Sequence, residues 1–201
     1  MSGFIVRQSG HLYILSNMSI EKQKTDTAAP PQEVRKRSFA PIVDNSVRLL
    51  VLGSLPGELS LAHGQYYANP QNRFWHLMSH VIVRDLVAMQ YTERLQTLLA
   101  HRVGLWDVVA EARRDGSLDS RIRERDDNDL VGLAAGLPHL TTIAFNGATA
   151  ARIGMKNLGP SAERYEIVKL PSSSPAFTMA FAEKARAWAV LMEALGATGG
   201  Q

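Results

Sequence analysis

Three short runs, two of them apolar and the third alternating apolar with polar residues, each stopped by glycine, asparagine or proline, constrain the fold of this 201-residue chain more than any other feature. Val47 to Leu52 (VRLLVL) is closed by Gly53, Leu140 to Phe145 (LTTIAF) ends in Asn146-Gly147, and Tyr165 to Leu170 (YEIVKL) stops at Pro171-Ser172-Ser173-Ser174-Pro175. Runs of this length between turn residues read as strands. Helical spacing falls between and after them. Asn72 to about Met89 carries Phe74, Trp75, Met78, Val81, Ile82 and Leu86 on one face, and Thr92 to Ala100 predicts a second helix with Thr92 as a candidate N-cap. Asn128 or Asp129 caps a helix through Leu137, Ala148 to Met155 predicts another, and a last one runs from about Ala176 to Leu195 with Phe181, Ala185, Trp188, Leu191 and Leu195 facing inward. Val103 to Val109 supplies a further strand-like segment, and the densely charged Arg113 to Asp129 must be solvated. Repeated strand, loop and helix predicts an α/β fold with a parallel sheet covered by helices on both faces.

The chain has room for one domain of this kind. Met1 to about Arg37 lacks a sustained apolar period and reads as a flexible extension (1-37), with compact structure starting near Phe39 or Ile42 and the folded domain spanning 38-197. The formal charge of +3 and pI near 9.3 suit a polyanionic partner without requiring one. With no cysteine, disulfides, thiolate metal sites, cysteine nucleophiles and the Cys-x-x-Cys zinc deaminases are excluded. No stretch approaches the roughly 20 apolar residues of a membrane helix, and the N-terminus lacks the order of a secretory signal. A soluble cytoplasmic protein is the expectation.

In an open parallel sheet, ligands bind beyond the carboxyl ends of the strands. The loops Gly53 to Gly57, Asn146-Gly147 and Pro171 to Pro175 leave such ends and should converge on one cleft. Gly53-Ser54-Leu55-Pro56-Gly57 lacks the Gly-Lys-Ser/Thr ending of a phosphate-binding loop, so triphosphate hydrolysis is poorly supported. Its backbone could approach a base or phosphodiester, or simply turn. The segment Gln65 to Trp75 (QYYANPQNRFW) is more specific. Tyrosine faces can stack on an extruded base, and amides both donate to and accept from its polar edge. The alternative is that the tyrosines pack and Asn72 caps a helix.

GSLPG, YYANPQNRFW, GLWDV, GSLDS, AFNG and LPSSSPA, in that order, resemble the uracil-DNA glycosylase superfamily, most closely its hypoxanthine-DNA glycosylase branch, also called DNA-deoxyinosine glycosylase. The resemblance spans roughly Phe39 to Leu195. It implies a three-layer α/β/α sandwich around a four-stranded, mainly parallel sheet, and excision of hypoxanthine or uracil from DNA by a monofunctional glycosylase without metal or organic cofactor. It also implies Asn72 as the catalytic amide, Tyr67 as the stacking aromatic and Asn146 as the reader of the base edge. Gly53 and Ser54 would wall the base pocket. Pro56, Gly57, Arg73 and the pinch loop Ser172, Ser173, Ser174 and Pro175 would contact DNA. The partner implied is DNA carrying deaminated bases, with no obligate protein partner and a monomeric state.

Two departures from other relatives matter. Many place Asp or Asn shortly after the glycine that opens the first motif, where this chain has Ser54, Leu55 and Pro56, so no carboxylate is available there. Some carry histidine just before the Pro-Ser of the last motif, where this chain has Leu170, which cannot donate a hydrogen bond. Arg73, Arg113, Arg114, Arg121, Arg123, Arg125 and Lys169 are candidates for phosphate contacts, although Arg121 to Arg125 read first as a solvated face. Asp107 and Asp119 are candidate supporting residues, and His63, His76 and His80 show no metal-like partnership. A catalytically idle DNA-binding module and a hydrolase of free nucleosides are the rival readings.

Overall fold

The computed structural model describes residues 35–196, so the expected extension lies outside the described residues up to residue 34. In chain order the elements are β1 (Lys36–Arg37), β2 (Leu49–Gly53), α1 (Glu58–His63), α2 (Phe74–Ile82), α3 (Tyr91–Ala100), β3 (Val103–Asp107) and β4 (Val109–Arg113). They continue with β5 (Arg123–Asp127), α4 (Leu130–Ala135), β6 (Thr142–Asn146), α5 (Ala148–Leu158), β7 (Glu166–Leu170), α6 (Phe181–Trp188) and α7 (Leu191–Ala194). Strands β3-β2-β6-β7 form a four-stranded parallel sheet, as expected.

Both faces of that sheet are apolar because consecutive strand residues point to opposite sides. Leu49, Val51, Val103, Leu105 and Ala144 pack with Phe74, Leu77, Met78, Val81, Leu98, Trp188 and Leu191 from α2, α3, α6 and α7. Leu50, Leu52, Ile143 and Phe145 pack on the other side with Leu130, Ala134, Ala150, Ile153 and Leu158 from α4 and α5. A fully buried side chain of this size contributes roughly 1.5–3 kcal/mol, against about 0–1 kcal/mol for an exposed ion pair. The parallel sheet therefore dominates the stability.

The structure departs from the sequence reading at several places, beginning with Lys36 and Arg37, which were placed in the extension but pair antiparallel with Ala112 and Glu111 of β4. The run Val103 to Val109 breaks at Val108, and β4 turns into a second, antiparallel sheet of order β1-β4-β5. Its strand β5 lies inside the charged segment and is mostly exposed, with Arg35 and Arg37 paired to Glu111 and Arg113 to Glu124. Helix α2 stops at Ile82, not Met89, because Val83 adopts left-handed backbone (φ 52°). The Ser79 hydroxyl accepts from the Leu86 N–H at 3.0 Å, so Leu86 still reaches the core without helical backbone. Helix α3 is capped by Gln90, with the Glu93 carboxylate accepting from the Gln90 N–H at 3.0 Å, and Thr92 lies inside the first turn. The final helix starts only at Phe181, which is 45% exposed, while Ala185, Trp188 and Leu191 are buried as predicted.

Asp129 caps α4, its Oδ1 accepting from the Gly132 N–H at 2.8 Å. Among the described residues no helix is long and apolar enough to cross a membrane.

Candidate functional site

The parallel sheet ends in a row of unusual residues. Registers pair Gly53 with Asp107 and Asn146 with Leu170, so the order β3-β2-β6-β7 sets Asp107, Gly53, Asn146 and Leu170 side by side at the carboxyl edge. Strand β2 has β3 on one side and β6 on the other, a reversal of strand order of the kind beside which open α/β sheets bind ligands, and Gly53 and Asn146 end the two strands at that point.

Asn146 ties three segments together there. Its Nδ2 donates to Ser173 Oγ at 2.8 Å and to Tyr67 Oη at 3.2 Å, and its Oδ1 accepts from the Ser173 N–H at 2.8 Å. The Arg73 N–H in turn donates to the Ser173 carbonyl at 3.0 Å, docking the loop before α2 onto the serine loop. Gly147 at φ 102° makes this possible, since a β-carbon there would stand 3.0 Å from that of Ser172. Tyr67 also holds left-handed backbone (φ 54°), a conformation that costs energy for an aromatic residue and marks a constrained position. Its ring stacks on Phe74 with centroids 3.7 Å apart and planes 11° from parallel. Burial first, and then the nearby Asp107, push the Tyr67 phenol above its ordinary range, against the Asn146 hydrogen bond.

Asn72 sits on the same loop. Its Oδ1 accepts from the Phe74 N–H at 3.0 Å, and its own N–H donates to the Asn69 carbonyl at 2.9 Å. Arg73 occupies the cap position of α2, so Asn72 braces the first turn from one residue earlier. Among the described residues the Asn72 side-chain NH2 has no protein partner.

The first loop is held from below. Ser54, buried, donates from Oγ to Asp119 Oδ1 at 2.6 Å. Arg114, read from its charge as a candidate phosphate ligand, is instead 3% exposed. Its guanidinium donates to the carbonyls of Leu55, Pro56 and Gly116 and lies 3.7 Å from Asp119. The loop carbonyls thus consume the cation that DNA would need. Lysine has no fork to span them, so Arg114→Lys should lower the unfolding free energy by ~3 kcal/mol in urea denaturation. A loss below ~1 kcal/mol would mean the loop holds its shape unaided.

Ser173 likewise lies inside the protein, fully buried, and positions Asn146, leaving Ser172, Ser174 and Pro175 as the more accessible part of that loop. Lys184 pins the same loop, donating to the Ser174 and Phe177 carbonyls at 3.3 and 2.8 Å. Arg121 pairs with Asp115 and Arg125 with Asp127, whereas Arg73, Arg123 and Lys169 are exposed with no ion-pair partner among the described residues. A groove of about 400 Å³ bordered by Arg73, Pro175, Phe177 and Lys184 runs beside the site. A larger cleft of about 490 Å³ opens at the opposite edge, around Arg48, Arg102 and His139, away from the converging loops.

One group at this edge escaped the count of residues after Gly53. Asp107 arrives from the neighbouring strand and is 3% exposed, with Oδ2 buried and without a hydrogen-bond partner. Burial first, and then Asp119, push its carboxyl up to about 7, opposed by Ser38 and Arg114.

Comparison with known proteins agrees with this geometry. Residues 40–195 match the family model described as the uracil DNA glycosylase superfamily. A hypoxanthine DNA glycosylase of Methanosarcina acetivorans is 42% identical over 143 residues, covering 70% of this chain and 87% of the relative. A hypoxanthine DNA glycosylase of Methanosarcina barkeri is 34% identical over 158 residues, covering 78% and 97%. The solution NMR structure of a candidate uracil DNA glycosylase from M. acetivorans superposes with a TM-score of 0.69 at 38% identity, covering 81% of this chain and 99% of that one. With its fold, the converging loops and these matches in agreement, the chain belongs to the uracil DNA glycosylase superfamily.

Proposed function

We propose that this protein is a DNA glycosylase that extrudes hypoxanthine from DNA and hydrolyses its bond to deoxyribose. The observation that carries the reading is the Tyr67–Asn146 hydrogen bond, beside which the loop bearing the Asn72 amide is docked through Arg73 and Ser173. One face of Tyr67 is spent on Phe74, and the other is the surface for an incoming base.

Asn146 supplies discrimination. Its bonds to Ser173 are 2.8 Å, whereas the one to Tyr67 is 3.2 Å, so the weaker partner is the one a base carbonyl displaces. Oδ1 accepts one protein hydrogen bond and keeps a second lone pair. Hypoxanthine offers a carbonyl beside an N–H and matches this donor and acceptor. Adenine offers an amino group beside a bare nitrogen, which leaves buried groups unpaired. Uracil shares the carbonyl and N–H pattern and is the second substrate. Asn72, a poor base at neutral pH, acts by orienting water or the departing base through its fixed amide dipole.

The test is base release from duplex and single-stranded oligonucleotides carrying hypoxanthine, uracil or xanthine, without added metal and with free inosine alongside. Abasic sites should appear fastest in the oligonucleotides carrying hypoxanthine. Release from free inosine alone, or damage-dependent binding without release, would overturn the reading.

A further inference from the structure

Asp107 is hard to explain as a structural residue. It lies 3% exposed at the end of β3, its Oδ2 has no hydrogen-bond partner, and the nearest guanidinium, that of Arg114, is already engaged with three loop carbonyls and Asp119. An unpaired buried carboxyl oxygen lowers stability, and such groups persist where chemistry requires them. Its position is also specific. A β-carbon on Gly53 would stand 2.6 Å from Asp107 Oδ1 and 3.2 Å from Tyr67 Oη, so the absent side chain lets the carboxyl and the stacking tyrosine come together at the carboxyl edge of the sheet.

From this geometry we infer that Asp107 is the proton acceptor for the attacking water in base excision. This rests on the glycosylase reading above. Water adds to C1′ as the bond from C1′ to the base nitrogen breaks, and the bond's electron pair leaves on the base. The water proton passes to the Asp107 carboxylate, the base anion takes a proton from solvent, and Asp107 returns its proton to solvent. The first motif thus needs no carboxylate of its own, because the adjacent strand supplies one.

The charged groups around Asp107 set the pH at which it works. Asp119 and Arg114 face it from the segment after β4, the phenols of Tyr66 and Tyr67 from the loop before α2, and the Ser38 hydroxyl from the segment after β1. Burial and Asp119 hold the carboxyl near 7, where a base for neutral-pH chemistry is most effective. Only the ionised form accepts a proton, so the rate rises with pH up to that value and is flat above it.

Single-turnover release of hypoxanthine from duplex DNA, followed from pH 5 to 9, tests this. In the wild type the rate should rise about tenfold per pH unit below about 7. Asp107→Asn, nearly isosteric, should lose that acidic limb and fall at least about tenfold at pH 8. Asp119→Asn removes the like charge that raises Asp107, so it should shift the limb to lower pH, and this variant keeps the test intact even where Asp107→Asn fails to fold. An acidic limb retained in Asp107→Asn, a limb unmoved by Asp119→Asn, or a wild-type rate independent of pH overturns the assignment while leaving glycosylase activity standing. Absence of release by the wild type at every pH overturns the glycosylase reading and this assignment with it.

Discussion

Asn72→Ala should release hypoxanthine about a hundredfold or more slowly than the wild type in single-turnover assays, the size of effect seen when one preorganised donor is removed. Two observations make the amide preorganised. Oδ1 is anchored on the Phe74 N–H, and the loop is fixed by the bonds from Asn72 N–H to Asn69 and from Arg73 N–H to Ser173. The orientation of the free NH2 is therefore set before substrate arrives, and no reorganisation is needed during the reaction. Alanine also removes the brace on α2, worth about 1 kcal/mol. Asn72→Ser separates the two effects, because its hydroxyl can still accept from Phe74 N–H while the amide donor is gone. Serine should restore the thermal midpoint but not the rate. Near-normal release by a folded alanine variant would remove Asn72 from the chemistry.

What the sequence made legible follows from how far each signal reaches along the chain. Strands β2 and β6 were visible because burial on both faces demands apolar runs, and the edge strand β7 because apolar and polar residues alternate along it; their terminal Gly53, Asn146 and Pro171 to Pro175 marked the edge at which the loops meet. The second sheet was not visible. Strand β5 is stabilised by pairing with β4 and carries no apolar alternation, so its residues looked only solvated. The end of α2 depends on a left-handed valine, which no propensity favours.

The candidate site divides the same way. Tyr67 and Asn146 are brought into contact, and Asn72 lies on a loop docked to theirs. The carboxylates that approach the first loop were missed as its partners because strand register, not spacing after Gly53, brings Asp107 beside it, and the short segment after β4 returns Asp119 to Ser54. Charge alone suggested a phosphate role for Arg114. Only the fold reveals that backbone carbonyls surround it.

Gly53→Ala should reduce excision at least as severely, by about a hundredfold or more, through displacement of two groups at once. The backbone of Gly53 is that of an ordinary strand, so the requirement for glycine arises from proximity and not from dihedral angle. A methyl at 2.6 Å from Asp107 Oδ1 cannot be accommodated in place, and Asp107 cannot swing into solvent because it is 3% exposed at the end of a paired strand. The same methyl would sit 3.2 Å from Tyr67 Oη, pressing on the hydroxyl that holds Asn146. Overpacking of this kind costs about 1–3 kcal/mol of stability, too little to unfold an ordinary domain, so the protein should remain folded while the stacking ring and the carboxyl lose their alignment. Trimming the obstacle provides the decisive comparison. Gly53→Ala combined with Asp107→Ala should regain the lost stability without regaining activity. Full excision by the single Gly53→Ala variant would mean that the closeness of Asp107, Gly53 and Tyr67 has no bearing on catalysis.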